Sequence, residues 1–181
     1  DYAAFAGKVT GFRGISEGLP KYVDFLTNRG YPFTLFITCD ILQNLDISIL
    51  KGSDLEIGSH GFRHTFPPRY LTTLPYEKLK DEIATSKQSL EKYFKTKVAG
   101  FRAHGLTVTP LIMEEISKQY IYDSSVLLHR KYGGKALRRV TPYYPSRYQV
   151  VEEGNLPIIE LPVFSRDFFL FRLPFMGTYI R

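Results

Sequence analysis

The chain has 181 residues, 44% of them hydrophobic and 15% aromatic, the composition of a globular protein long enough for one sizeable core. Its single cysteine, Cys39, excludes an internal disulfide framework and a Cys-rich zinc site, and no apolar run reaches the ~20 residues of a membrane helix. A formal net charge of +6 favours anionic partners such as phosphate, acidic glycans or anionic lipid head groups, but no nucleic-acid recognition motif or glycine-rich phosphate loop accompanies it.

Leu19, Tyr22, Val23 and Leu26 fall at helical spacing and predict a helix over 19–29, with Gly30 as its stop. Residues 33–38, rich in aromatic and β-branched side chains, predict a buried strand, and 55–60 a shorter one. The clearest helix spans 75–95, where Leu79, Ile83, Leu90 and Phe94 form the apolar stripe and Lys and Glu cover the rest. A strand over 98–103 follows, then a helix over 111–119 with Pro110 at its start. Residues 121–126 predict the next strand, 133–157 are loop-rich, and 158–164 predict another strand. This alternation implies a parallel α/β sheet or barrel in one domain, residues 1–181.

In such folds functional side chains sit where strands end. His60 and His64, then Arg102 and His104, then Asp123 occupy those places. The two histidines are four apart, on one side of a helical turn, and Gly58, Ser59 and Gly61 let backbone approach closely. Such a pair can seize one divalent metal ion. A solvated loop position is the plainer reading of the same spacing. His129, Arg130, Lys131, Lys135, Arg138 and Arg139 crowd one segment, read as a solvated loop ahead of a specific anion site. Tyr143, Tyr144 and Tyr148 read as loop anchors ahead of an aromatic sugar platform.

At these residues the chain resembles the polysaccharide deacetylases, the NodB-homology or carbohydrate esterase family 4 group. Residues 18–26 and 32–37 look like that family's first helix and second strand. His60-Gly61-Phe62-Arg63-His64-Thr65, after Glu-Ile-Gly-Ser, looks like its metal motif. Gly100-Phe101-Arg102-Ala103-His104-Gly105 looks like its Arg-x-Pro motif, with His104 where many relatives have proline. Tyr122-Asp123-Ser124-Ser125 and Glu160-Leu161-Pro162-Val163 are similar to later ones.

The resemblance implies a distorted (β/α) barrel and hydrolysis of an N-acyl group from an amino sugar, in a polysaccharide or an anionic or lipid-linked envelope glycan. It implies one divalent metal ion, zinc ahead of cobalt, nickel or manganese, held by His60, His64 and a carboxylate. Asp1 is the expected third ligand, with Asp40 competing. Arg102 would pair with the general base, Asp123 would orient a general-acid histidine, and His104 would face substrate or pack beneath its loop. Each has a structural alternative: an ion pair for Arg102 and a turn cap for Asp123. The first aspartate and the last histidine of the family pattern have no counterpart here, so a domain lacking first-strand and last-strand segments is expected. A non-catalytic glycan-binding relative is the alternative. The expected partner is a carbohydrate rather than nucleic acid, in the cytoplasm or at the cell envelope.

Overall fold

The computed structural model describes residues 12–64 and 70–164. Helix α1 (Leu19–Thr27) carries Pro20 in its first turn, where the missing N–H breaks no helical bond. It ends at Gly30, whose φ of +63° an L side chain would resist. Strand β1 (Phe33–Ile37) follows, then two 3₁₀ turns (Cys39–Asn44 and Ile47–Leu50) and strand β2 (Leu55–Ser59).

Helix α2 (Tyr76–Phe94) buries Leu79, Ile83, Ser86 and Leu90, a single stripe at helical spacing. Each fully buried Leu or Ile there contributes about 1.5–3 kcal/mol. Lys95, at φ 54°, closes the helix in the left-handed region. Strand β3 (Gly100–Phe101) leads to helix α3 (Pro110–Ser117), where the Thr109 side chain accepts the Ile112 N–H at 3.3 Å as an N-cap. Strand β4 (Tyr122–Asp123), a short hairpin of β5 (Lys131–Tyr132) and β6 (Lys135–Ala136), and strand β7 (Ile159–Glu160) complete the described elements.

All neighbouring strands of the main sheet run parallel, in the order β1-β2-β3-β4-β7. The α/β class expected from the sequence is therefore present. Among the described residues the strands make an open five-stranded sheet, not a closed ring. Three strands are shorter than their sequence patterns: 98–103, 121–126 and 158–164 each pair over two residues. Apolarity marks burial, not ladder pairing, and Val98, Ala103, Val126 and Ile158 are core residues outside the ladders.

The basic segment is a hairpin rather than a featureless loop. Gly133 and Gly134, at φ +55° and +86°, supply the two left-handed positions that a two-residue turn requires. Three of its charges have partners within the chain. Arg130 donates to the Gly105 and Leu106 carbonyls and to the Thr107 hydroxyl, Lys135 pairs with Glu152, and Arg139 pairs with Glu153. His129 is exposed. Tyr143 is buried and donates to the Val150 carbonyl at 2.6 Å, whereas Tyr144 and Tyr148 are exposed.

One sheet face is shaped by glycine. Register places Phe36 beside Gly58 and Gly100 beside Tyr122, so the two rings lie over strands that offer no side chain. A Cβ at Gly100 would stand 2.1 Å from Tyr122 Cζ. The ring is not free to swing away, because its hydroxyl donates to Glu56 Oε2 at 2.7 Å. Gly100→Ala should therefore cost about 1–3 kcal/mol of stability. A urea midpoint equal to that of the parent protein would refute this packing.

Candidate metal centre

The end of β2 is tied to the neighbouring strands by backbone bonds. The His60 N–H donates to the Ile37 carbonyl at 2.9 Å, and the Arg102 N–H donates to the Ser59 carbonyl at 2.8 Å. The chain then turns at Gly61, whose φ is +84°. A Cβ there would meet His104 Cε1 at 2.9 Å, so both backbone angle and space require glycine. Past the turn, the Gly61 and Phe62 carbonyls accept from the Cys39 and Asp40 N–H groups at 3.2 and 3.0 Å. The loop is thus laid across the end of β1.

This path brings three of the four histidines together. The ring centres of His60 and His64 are 5.4 Å apart, and those of His104 lie 4.8 Å from His60 and 4.9 Å from His64. Two imidazoles bound at ~2.0–2.1 Å to one tetrahedral ion would hold their ring centres roughly 5 Å apart, so the first pair has a suitable bite. His60 Nδ1 lies 2.6 Å from the Arg102 carbonyl oxygen. A carbonyl only accepts, so Nδ1 carries the proton and Nε2 is the lone-pair nitrogen. That is how metal-binding imidazoles are commonly oriented.

Electrostatics favour the neutral rings that a cation needs. Burial pushes the His60 pKa down to about 4, against the Arg102 carbonyl bond that favours the charged form. Burial also lowers that of His64, and His64 Nδ1 is buried with no hydrogen-bond partner among the described residues. His104 is pushed down to about 3 by burial, with its two histidine neighbours adding to the effect.

The other expected site residues are placed less directly. Asp1 lies outside the described residues. Asp40 is exposed past the end of β1, with Oδ2 3.4 Å from the His64 N–H. Arg102 lies over the Phe36 ring at 4.2 Å and donates from Nε and Nη2 to the Ser124 carbonyl and hydroxyl at 2.9 and 2.8 Å. His104, for which cleft and packed positions were both open, is 1% exposed, with its ring edge-on to His60. Asp123 is fully buried and accepts from the Ser125 N–H at 3.0 Å and hydroxyl at 2.8 Å, the turn-cap arrangement. Among the described residues no group of three or more His, Cys, Asp or Glu side chains is arranged to hold a metal ion. The spacing of the His60 and His64 rings fits two positions of such a site.

Two carboxylates to which the sequence assigns no role gain partners in the fold. Glu82 of α2 accepts from the Phe62 and Arg63 N–H groups. Its signal was faint: it precedes buried Ile83 and so flanks the helix stripe. Glu160 is fully buried against Asp123, its register partner across β4 and β7.

The sequence profile of the polysaccharide deacetylases matches residues 10–122, more than half of the chain and all of the histidine loop. The chain belongs to the polysaccharide deacetylase family. No curated protein matches it in sequence. Several solved structures share the deacetylase fold with it. A protein from Mycobacterium smegmatis described as a polysaccharide deacetylase has a TM-score of 0.64 at 20% identity, over 83% of this chain and 46% of its own. The 4-α-glucanotransferase of Thermococcus litoralis has a TM-score of 0.61 at 17% identity, over 91% of this chain and 26% of its own. Puue allantoinase has a TM-score of 0.57 at 17% identity, over 83% of this chain and 44% of its own. The chain thus spans less than half the length of each. At such identities the likeness is one of fold, and the differing activities in these names show that the fold alone does not fix this chain's chemistry.

Proposed function

We propose that the chain is part of a metal-dependent hydrolase that removes an N-acyl group, acetyl or formyl, from an amino sugar in a polysaccharide or lipid-linked glycan. The observation that carries the proposal is the pair of neutral imidazoles on the β2 loop, with the His60 Nδ1 proton fixed on the Arg102 carbonyl. Family membership supports the amide substrate. A bound divalent ion supplies Lewis acidity toward water and the amide carbonyl, which water alone attacks poorly.

The chain's own residues do the positioning. His60 and His64 hold zinc, with cobalt, nickel and manganese as the other metals such donors accept. Asp1 supplies the third ligand, and Asp40 is the carboxylate that would replace it. The backbone of Arg102 orients His60, while its guanidinium is held beside the strand ends by Ser124. Asp123 and His104, the other residues given catalytic roles by the resemblance, stand beneath this surface rather than on it.

The test is acid release. The protein is incubated with N-acetylated chitin oligomers, peptidoglycan fragments or lipid-linked N-acetyl sugars, with each metal in turn. Acetate or formate release that a chelator abolishes is the expected result. Binding of such a glycan without acid release would overturn the proposal in favour of a non-catalytic glycan-binding relative.

A further inference from the structure

The geometry points to Glu82 as the positioning residue of the metal loop. This rests on the reading of His60 and His64 as metal ligands. Three residues separate those ligands, and four of their backbone groups are fixed by residues distant in sequence. Two are carbonyls, held by the N–H groups of Cys39 and Asp40. The other two are the Phe62 and Arg63 N–H groups, which both donate to Glu82 Oε1, at 2.8 and 3.1 Å.

Successive amides turned toward one oxygen form an anion-binding concavity, here filled by a carboxylate from a rigid 19-residue helix. The bonds to an ionised acceptor are the stronger kind. Glu82 also stands near the turn itself, since a Cβ at Gly61 would lie 3.6 Å from Oε1. One turn further along α2, the Ser86 hydroxyl receives the Ser59 hydroxyl at 3.1 Å, and Ser59 Oγ accepts the Gly61 N–H at 3.2 Å. Helix α2 therefore grips the loop on both sides of Gly61. Glu82 acts on the segment between the two histidines, so it sets where His64 falls relative to His60. Its bonds to the loop are to backbone N–H groups.

A loop fixed in this way is pre-organised for its ion. Without the carboxylate, both amides lose their acceptor and the histidine separation is no longer set before binding. Partners that orient ligating groups are typically worth about 10–100-fold in metal affinity.

The experiment is calorimetric titration of zinc into the parent protein, Glu82→Ala and Glu82→Gln, with the urea stability of each metal-free form measured alongside. The amide of Gln keeps an acceptor oxygen for the two N–H groups. Zinc affinity about 10–100-fold weaker in Glu82→Ala, and restored to within a few-fold in Glu82→Gln, is the expected result. Unchanged affinity in Glu82→Ala, with or without a stability loss, would overturn the inference and leave the metal reading standing. Absence of zinc binding to the parent protein would overturn both.

Discussion

His60→Ala will leave a folded protein that no longer holds its metal. Elemental analysis should give near one equivalent of divalent metal for the parent protein and none for the variant. Outer partners of a ligating histidine are worth about 10–100-fold in affinity, so loss of the ligand itself should cost more than about 100-fold. The acid-release rate should fall by about 10³-fold or more, because the ion's charge stabilisation is worth several kcal/mol and each 1.4 kcal/mol is a factor of ten. Stability should fall by only about 1 kcal/mol, the net value of the lost bond to the Arg102 carbonyl. His64→Ala should behave alike. Unchanged metal content in either folded variant would end the metal assignment.

Glu160→Gln will flatten the pH dependence of stability. Asp123 and Glu160 are neighbours across the β4–β7 ladder and neither side chain is exposed. Burial raises the Glu160 pKa well above its ordinary 4.5, and the Asp123 charge and bond add to it. Burial also raises that of Asp123, from 3.8 to about 6, against the bonds from Glu160 and Ser125 that lower it. Arg102 favours the charged form of both, while the Tyr132 and Tyr143 hydroxyls also feel the pair. The raised values are those of a Glu160 that keeps its proton beside Asp123, while Glu160 Oε1 accepts the Val126 N–H at 2.9 Å.

The folded chain thus keeps protons that the unfolded chain releases above pH 3.8 to 4.5. The stabilisation is complete below those values. It declines as pH rises through the raised folded values, about 6 for Asp123 and well above the ordinary 4.5 for Glu160. Gln keeps a donor for Asp123 and an acceptor for Val126 but cannot ionise. The parent protein should lose stability from pH 5 to pH 8 more steeply than Glu160→Gln. Glu160→Ala, which strands Asp123 and Val126, should cost about 3 kcal/mol or more. Parallel stability curves for the parent and Glu160→Gln, from denaturant melts at several pH values, would dismiss the shared proton.

Much of this was legible in the chain's local pattern. The helix over 76–94 follows from its apolar stripe, and β1 and β2 follow from their β-branched and aromatic runs. The four-residue histidine spacing and Gly61 mark the loop before any fold is known, because ligand spacing and left-handed turns are local properties. The short ladders at β3, β4 and β7 were overextended, since burial on both faces makes apolar runs longer than the pairing they flank.

By itself, then, the sequence determined the α/β order of elements, the deacetylase family and the histidine pair, all of which depend on residues close together along the chain. Only the tertiary structure decided that His104 stands against that pair, that Glu82 takes the two loop amides, and that Asp123 faces Glu160. Those partners lie on different strands and helices, tens of residues apart. No periodicity marks them, because parallel strands joined by crossover helices bring together residues whose spacing in sequence is set by connection length rather than by a repeat.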